Sequence, residues 1–144
     1  MTRPTFSHAV TASHVADIVL AVHEGRVVFH DGDDELAPGL SVHLIGGHTD
    51  GLQAVRVGSD GAAADAVTVL ASDATHYYEN IESGRPFPIV FNVGAMVEGY
   101  DRLRRLAGMD GVIVPGHDPL VFERHAAADP SLSGIAVEVR VSQS

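Results

Sequence analysis

Three apolar runs of this sequence finish on a side chain able to bind a metal ion: LSVHLIGGH on His48, VTVLASD on Asp73 and GVIVPGH on His117. Imidazole nitrogen and carboxylate oxygen together suit zinc, manganese or iron, and the two oxygens of a carboxylate let Asp73 bridge two ions. The separations, 25 residues from His48 to Asp73 and 44 from Asp73 to His117, are too long for a local metal finger. They suit ligands delivered by separate strand ends. Local chemistry agrees at each position. Gly46 and Gly47 allow a sharp turn before His48, small Ser72 and Ala74 flank Asp73, and Pro115-Gly116 stiffens and then bends the approach to His117. Singly, an aspartate after a strand is a turn or cap residue and a loop histidine is solvated. The threefold repetition is what points to a site.

The elements that must carry these residues are read from periodicity. Val15, Ile18, Val19 and Val22 predict an amphipathic helix over about Thr11 to His23, ended by Gly25. Arg26 to His30 reads as a strand closed by a turn at Asp31 to Asp34, a run without the spacing or terminal Glu of a calcium loop. Further strands are expected at Leu40 to Ile45, Leu52 to Val57 and Ala66 to Ala71, with Gly58 to Asp65 as a hairpin tip. Met96, Val97, Tyr100, Leu103 and Leu106 define a helix over about Val93 to Ala107, with Arg102, Arg104 and Arg105 on a solvated face. Val112 to Val114 reads as a short buried strand and Ile135 to Val141 as a final alternating one. Strands interspersed with helices mean α/β or α+β, in one compact unit over 1–144. In such sheets the residues just beyond neighbouring carboxyl ends share a rim, so His48, Asp73 and His117 are expected to meet. The remaining histidines, His8, His14, His23, His30, His43 and His125, read as surface or packing residues.

Composition narrows the partners. All nine basic residues are arginine, against nineteen acidic ones, for a net charge of −10. No basic stripe exists for nucleic acid or anionic membrane. Without cysteine there is no disulfide frame, thiolate zinc site or thiol nucleophile. No run approaches the roughly 20 apolar residues of a membrane span. His8, His14 and Asp17 interrupt what a secretory signal would need as an apolar core, so a soluble cytoplasmic location is the expectation.

GGHTDGLQAVRV, LASDATHYYENI and VPGHDP, in this order, resemble the carboxyl-terminal half of the metallo-β-lactamase superfamily, especially its N-acyl-homoserine lactonase-like branch. The likeness runs from about Asp17 to Arg124. It implies that His48 binds one metal ion, Asp73 bridges two and His117 binds the other, the ions being zinc, with manganese or iron as alternatives. It implies hydrolysis of a small-molecule ester or lactone, as in quorum quenching, by a metal-activated hydroxide attacking a carbonyl polarised by the second ion. It further implies a phenol three residues beyond the bridging aspartate. That position is His76, followed by Tyr77 and Tyr78, so Asp73, His76, Tyr77 and Tyr78 are the catalytic candidates. Lactone specificity becomes an open question, since related members cleave thioesters, phosphodiesters and other esters.

The family's first metal motif, His-x-His-x-Asp-His, occurs nowhere in the chain. Each ion would then have two protein ligands where catalytic zinc has three. The expected architecture is half of an αβ/βα sandwich, one mixed β-sheet with helices on its outer face. A truncated enzyme, a misassigned start or one half of a split protein would each produce this pattern, with weak or no activity alone. An uncovered inner sheet face implies self-association or a complementing amino-terminal half. The competing reading is a non-catalytic remnant that binds a partner through that face.

Overall fold

The computed structural model describes residues 11–58 and 67–139. The chain divides into two units, 1–30 and 31–144. In the first, helix α1 (Ala12–His23) forms where the three-and-four spacing predicts it, and Gly25 follows its end at φ +69°. The apolar stripe that signalled the helix is largely exposed, at Ile18 and Val19 among others. Arg26 to His30 forms no strand, contrary to expectation, and Val28 and Phe29 are 74% and 78% exposed. A β-branched run becomes a strand only where a neighbour completes its hydrogen-bond ladder, and composition does not encode the neighbour.

The second unit holds a five-stranded mixed sheet in the order β1 (Asp34–Ala37), β2 (Leu40–Leu44), β3 (Gln53–Val57), β4 (Thr68–Ser72), β5 (Val112–Pro115). Neighbours pair antiparallel from β1 to β4, and β5 runs parallel to β4. The unforeseen edge strand β1 takes up part of the aspartate run read as a turn. Between β4 and β5 lie α2 (Tyr78–Ser83), also unforeseen, and α3 (Val93–Ala107), which has the predicted bounds. Asn92 caps α3 by accepting from Ala95 N at 3.0 Å. A short helix α4 (Val121–Arg124) and a 3₁₀ turn (Pro130–Leu132) follow. Of the expected last strand, the described part makes only an isolated bridge, Ala127 to Val137. The loop expected to be a hairpin tip and the chain beyond 139 lie outside the described residues, apart from Gly58.

The core forms where α3 crosses one sheet face. Met96, Tyr100, Leu103 and Ala107, spaced by three and four, pack on Ala54, Val69, Ala71 and Ile113. Gly99 permits the close crossing, because a Cβ there would stand 2.7 Å from Ile45 Cγ2. On the opposite face the register aligns Val42, Val55, Leu70 and Val114 in one row. Leu70 and neighbouring Val57 are 42% and 43% exposed, whereas Val42 is buried.

Candidate metal centre

Because β2 and β4 are both antiparallel to β3, and β5 is parallel to β4, the carboxyl ends of β2, β4 and β5 share one rim. After β2 the backbone turns through Gly46 and Gly47 at φ +73° and +86°. The Gly47 carbonyl accepts from Phe91 N and Asn92 N at 3.0 and 2.9 Å, which pins the turn against the start of α3. Strand β4 ends at Ser72, the one non-glycine residue with positive φ (+50°) among the described residues, immediately before Asp73. Backbone in this region is costly for a residue bearing Cβ and concentrates at functional sites. Strand β5 ends at Pro115, and Gly116 passes so near that a Cβ would stand 2.8 Å from Ser72 O. Gly116 N donates to Thr75 O at 3.0 Å and His117 N to His76 O at 2.9 Å, locking the two strand ends together.

The side chains gather as these constraints direct. His117 Nε2 is 2.7 Å from Asp73 Oδ1, and His76 Nε2 is 3.9 Å from the same oxygen. His48 Nε2 lies 3.6 Å from Asp73 Oδ2. The His76 ring stands between the other two, with centroids 5.2 Å from His48 and 5.3 Å from His117. His48 Nδ1 is 2.9 Å from the Ile89 carbonyl. Since a carbonyl only accepts, Nδ1 bears the proton, and in the neutral ring Nε2 turns a lone pair toward the carboxylate. His76 is 6% exposed and stacks on Phe87 at 4.2 Å. Burial pushes its pKa below the ordinary imidazole value; Asp73 opposes this, while His48 and His117 add to it. The result favours a neutral ring with a free lone pair.

The two tyrosines part company. Tyr77 is partly exposed, with its ring 5.7 Å from Phe87. Tyr78 is buried and serves a different set of partners. Its hydroxyl is 3.4 Å from His125 Nε2, and the Arg124 guanidinium lies over its ring at 3.8 Å. These groups, with Ile81, Glu82 and Arg104, line a cavity of about 470 Å³. Burial is the leading cause of the upward shift of the Tyr78 phenol. Asp118, which the sequence reading passed over within the PGHDP string, is buried. It accepts from Tyr78 N at 2.8 Å and from Leu120 N at 2.9 Å, so it ties α2 to the turn after His117. Phe87 was missed altogether, and no sequence signal marks it.

The arginine face of α3 is not purely solvated. Arg102 pairs with Asp33 at 2.6 Å, and Arg104 reaches both Asp101 and the Ile81 carbonyl. His43 is 3.1 Å from Asp33 Oδ2 and 2.9 Å from Ser41 Oγ, remote in role from the rim histidines. His14 and His23 lie on α1, and His8 lies outside the described residues.

No family model matches the sequence, and no curated protein matches it. Solved structures do share the fold. An N-acyl homoserine lactone hydrolase, solved with N-hexanoyl-L-homoserine bound at its catalytic metal centre, is similar at TM-score 0.58 and 24% identity, covering 67% of this chain and 38% of that one. AidC, a dizinc quorum-quenching lactonase, is similar at TM-score 0.53 and 18% identity, covering 71% and 34%. A probable metal-dependent hydrolase from Staphylococcus aureus gives TM-score 0.54 and 13% identity, covering 84% and 41%. The chain therefore shares part of the α+β fold of these structures, as its motifs implied, and covers 34–41% of their length. Among the described residues, no helix is long and apolar enough to cross a membrane.

Proposed function

We propose that this chain is the metal-binding carboxyl-terminal portion of a metallo-β-lactamase-fold hydrolase acting on a lactone or ester, with His48, Asp73 and His117 as ligands. The observation that carries the reading is the presentation of both Asp73 oxygens to different imidazoles, Oδ1 to His117 and Oδ2 to His48. The residues fit a bound cation. A lone pair on His48 Nε2 facing a carboxylate oxygen at 3.6 Å is an unfavourable pair of acceptors unless a proton or metal ion lies between them. Asp73, with one oxygen for each side, suits a bridging role.

Bound zinc, manganese or iron would supply Lewis acidity and lower the pKa of water toward neutrality. The chain's own residues hold and orient the site. The Ile89 carbonyl fixes the His48 tautomer, as outer partners of metal-binding histidines generally do. Backbone bonds between residues 75–76 and 116–117 hold His117 against Asp73. Tyr77, partly exposed just before α2, is the phenol we assign to a substrate carbonyl or leaving oxygen, because Tyr78 is committed to Arg124 and His125.

Metal analysis before and after chelation, paired with assays of lactone and ester opening, tests the reading. The expected result is chelator-sensitive divalent metal, with turnover weak or absent unless a segment bearing His-x-His-x-Asp-His is supplied. A purified chain that takes up no divalent ion would refute it. The second reading, a non-catalytic chain that joins a partner through the sheet, draws support from exposed Leu70 and Val57. A monodisperse monomer that binds no hydrophobic dye would refute that reading.

A further inference from the structure

We infer that Asp73, His76 and His117 alone form a three-ligand site for one divalent transition-metal ion, with His76 standing where a phenol is expected. This rests on the metal-binding reading above and changes its ligand count. His48, Asp73 and His117 give each of two ions only two ligands, one short of a catalytic zinc site. Adding His76 gives one ion a two-histidine, one-carboxylate set, a combination that leaves open positions for water and substrate.

The geometry supports the set. One donor atom from each of Asp73, His76 and His117 lies within 4.8 Å of the other two. Ligands at about 2.1 Å from a tetrahedral ion stand about 3.4 Å apart. The observed separations from Asp73 Oδ1, 2.7 Å to His117 and 3.9 Å to His76, bracket that value, so small side-chain rotations suffice. The ligands are also held before any ion arrives. Asp73 and His76 sit in one tight turn, and His117 is bonded to that turn through its own backbone N. The His76 ring is held near this position by burial and by stacking on Phe87, although its Nδ1 has no hydrogen-bond partner among the described residues. Rigid placement of this kind lowers the entropic cost of binding. His48 addresses the other carboxylate oxygen and stands outside this set, as the histidine left for a second ion.

The test follows the imidazole nitrogens of the full ¹⁵N-histidine-labelled chain while zinc is added to one equivalent. Shifts of both His76 Nε2 and His117 Nε2 are expected. In parallel, His76→Tyr should weaken zinc binding by at least about tenfold, the lower end of what loss of even an outer partner costs, while His48→Asn should cost less. Movement of His48 and His117 with His76 unmoved would overturn the inference and leave the metal-binding reading intact. Movement of no imidazole would refute both. If His76→Tyr does not fold, as judged by circular dichroism, the wild-type spectra decide alone.

Discussion

Replacing Gly47 by alanine should cost far more than the same change one residue earlier, and the structure says by how much. Both glycines have positive φ, +73° at Gly46 and +86° at Gly47, so a Cβ at either brings about 1–2 kcal/mol of backbone strain. The difference is space. A Cβ at Gly46 meets nothing within 4 Å, whereas at Gly47 it would stand 2.6 Å from Met96 Cα and 2.7 Å from Met96 N. Those are backbone atoms of α3, which cannot swing aside as a side chain tip can. Either the helix or the turn must shift, and overpacking of this kind adds about 1–3 kcal/mol. Gly46→Ala is therefore expected to lose about 1–2 kcal/mol and Gly47→Ala about 2–5 kcal/mol. For a chain of this size the excess corresponds to roughly 3–10 °C in midpoint, readable by thermal or urea unfolding followed by circular dichroism. His48 is the next residue, so Gly47→Ala should also weaken zinc uptake while Gly46→Ala should not. Equal losses in the two variants, within about 0.5 kcal/mol, would mean that the turn is not pressed against α3 and that the account of how His48 is positioned is wrong.

Other changes probe the remaining supports. Asp73→Asn removes the carboxylate that all three rim histidines face; chelator-sensitive metal uptake, measured by elemental analysis, should fall by more than the roughly 10–100-fold typical of losing an outer partner. Gly116→Ala would put a Cβ 2.8 Å from Ser72 O and 3.3 Å from Asp73 Oδ1, so both stability, by about 1–3 kcal/mol, and metal uptake should drop. Asn92→Ala removes the α3 cap and should cost about 1 kcal/mol in a urea melt with metal uptake unchanged. Burial alone would raise the Asp33 carboxyl, but His43, the Leu44 N–H and Arg102 outweigh it and hold its pKa below 3.8. The stability this contributes is complete above the unfolded value of 3.8 and is lost as pH falls through the folded one, so Arg102→Ala should flatten the acid limb of a stability–pH curve.

Legibility in the sequence followed the range of the physics involved. Helix α3 was readable to its ends because its core stripe repeats every three or four residues. Strands β2 to β5 were readable because their apolar runs are bounded by glycine and aspartate. Arg26 to His30 and β1 were misread in opposite directions for one reason: strand formation depends on a partner ladder. DELA, half of it acidic, pairs with β2, while RVVFH, rich in strand formers, forms no strand among the described residues. Asp33 was read as a turn residue, yet its carboxylate receives Arg102 from 69 residues away, a contact no local pattern announces.

At the rim the same distinction separates what spacing reveals from what only packing reveals. His48, Asp73 and His117 were legible because each lies just past a strand, and strand direction alone sends those positions to one edge. His76 was visible only as an offset of three from Asp73, which left its orientation undetermined. Phe87 gives it that orientation from the loop after α2, 11 residues on, with no periodicity linking the two. Tyr77 and Tyr78 show the limit from the other side. They are adjacent in sequence, but Tyr77 precedes α2 in extended backbone and Tyr78 begins it. Neighbouring positions across such a boundary cannot aim alike, and Asp118, drawn in from the turn after His117, holds the Tyr78 N–H and turns that phenol to Arg124 and His125. The orientation of the His76 imidazole toward Asp73 Oδ1 is therefore a product of burial and of stacking on Phe87, a property of three-dimensional packing that the histidine's place in the sequence does not fix.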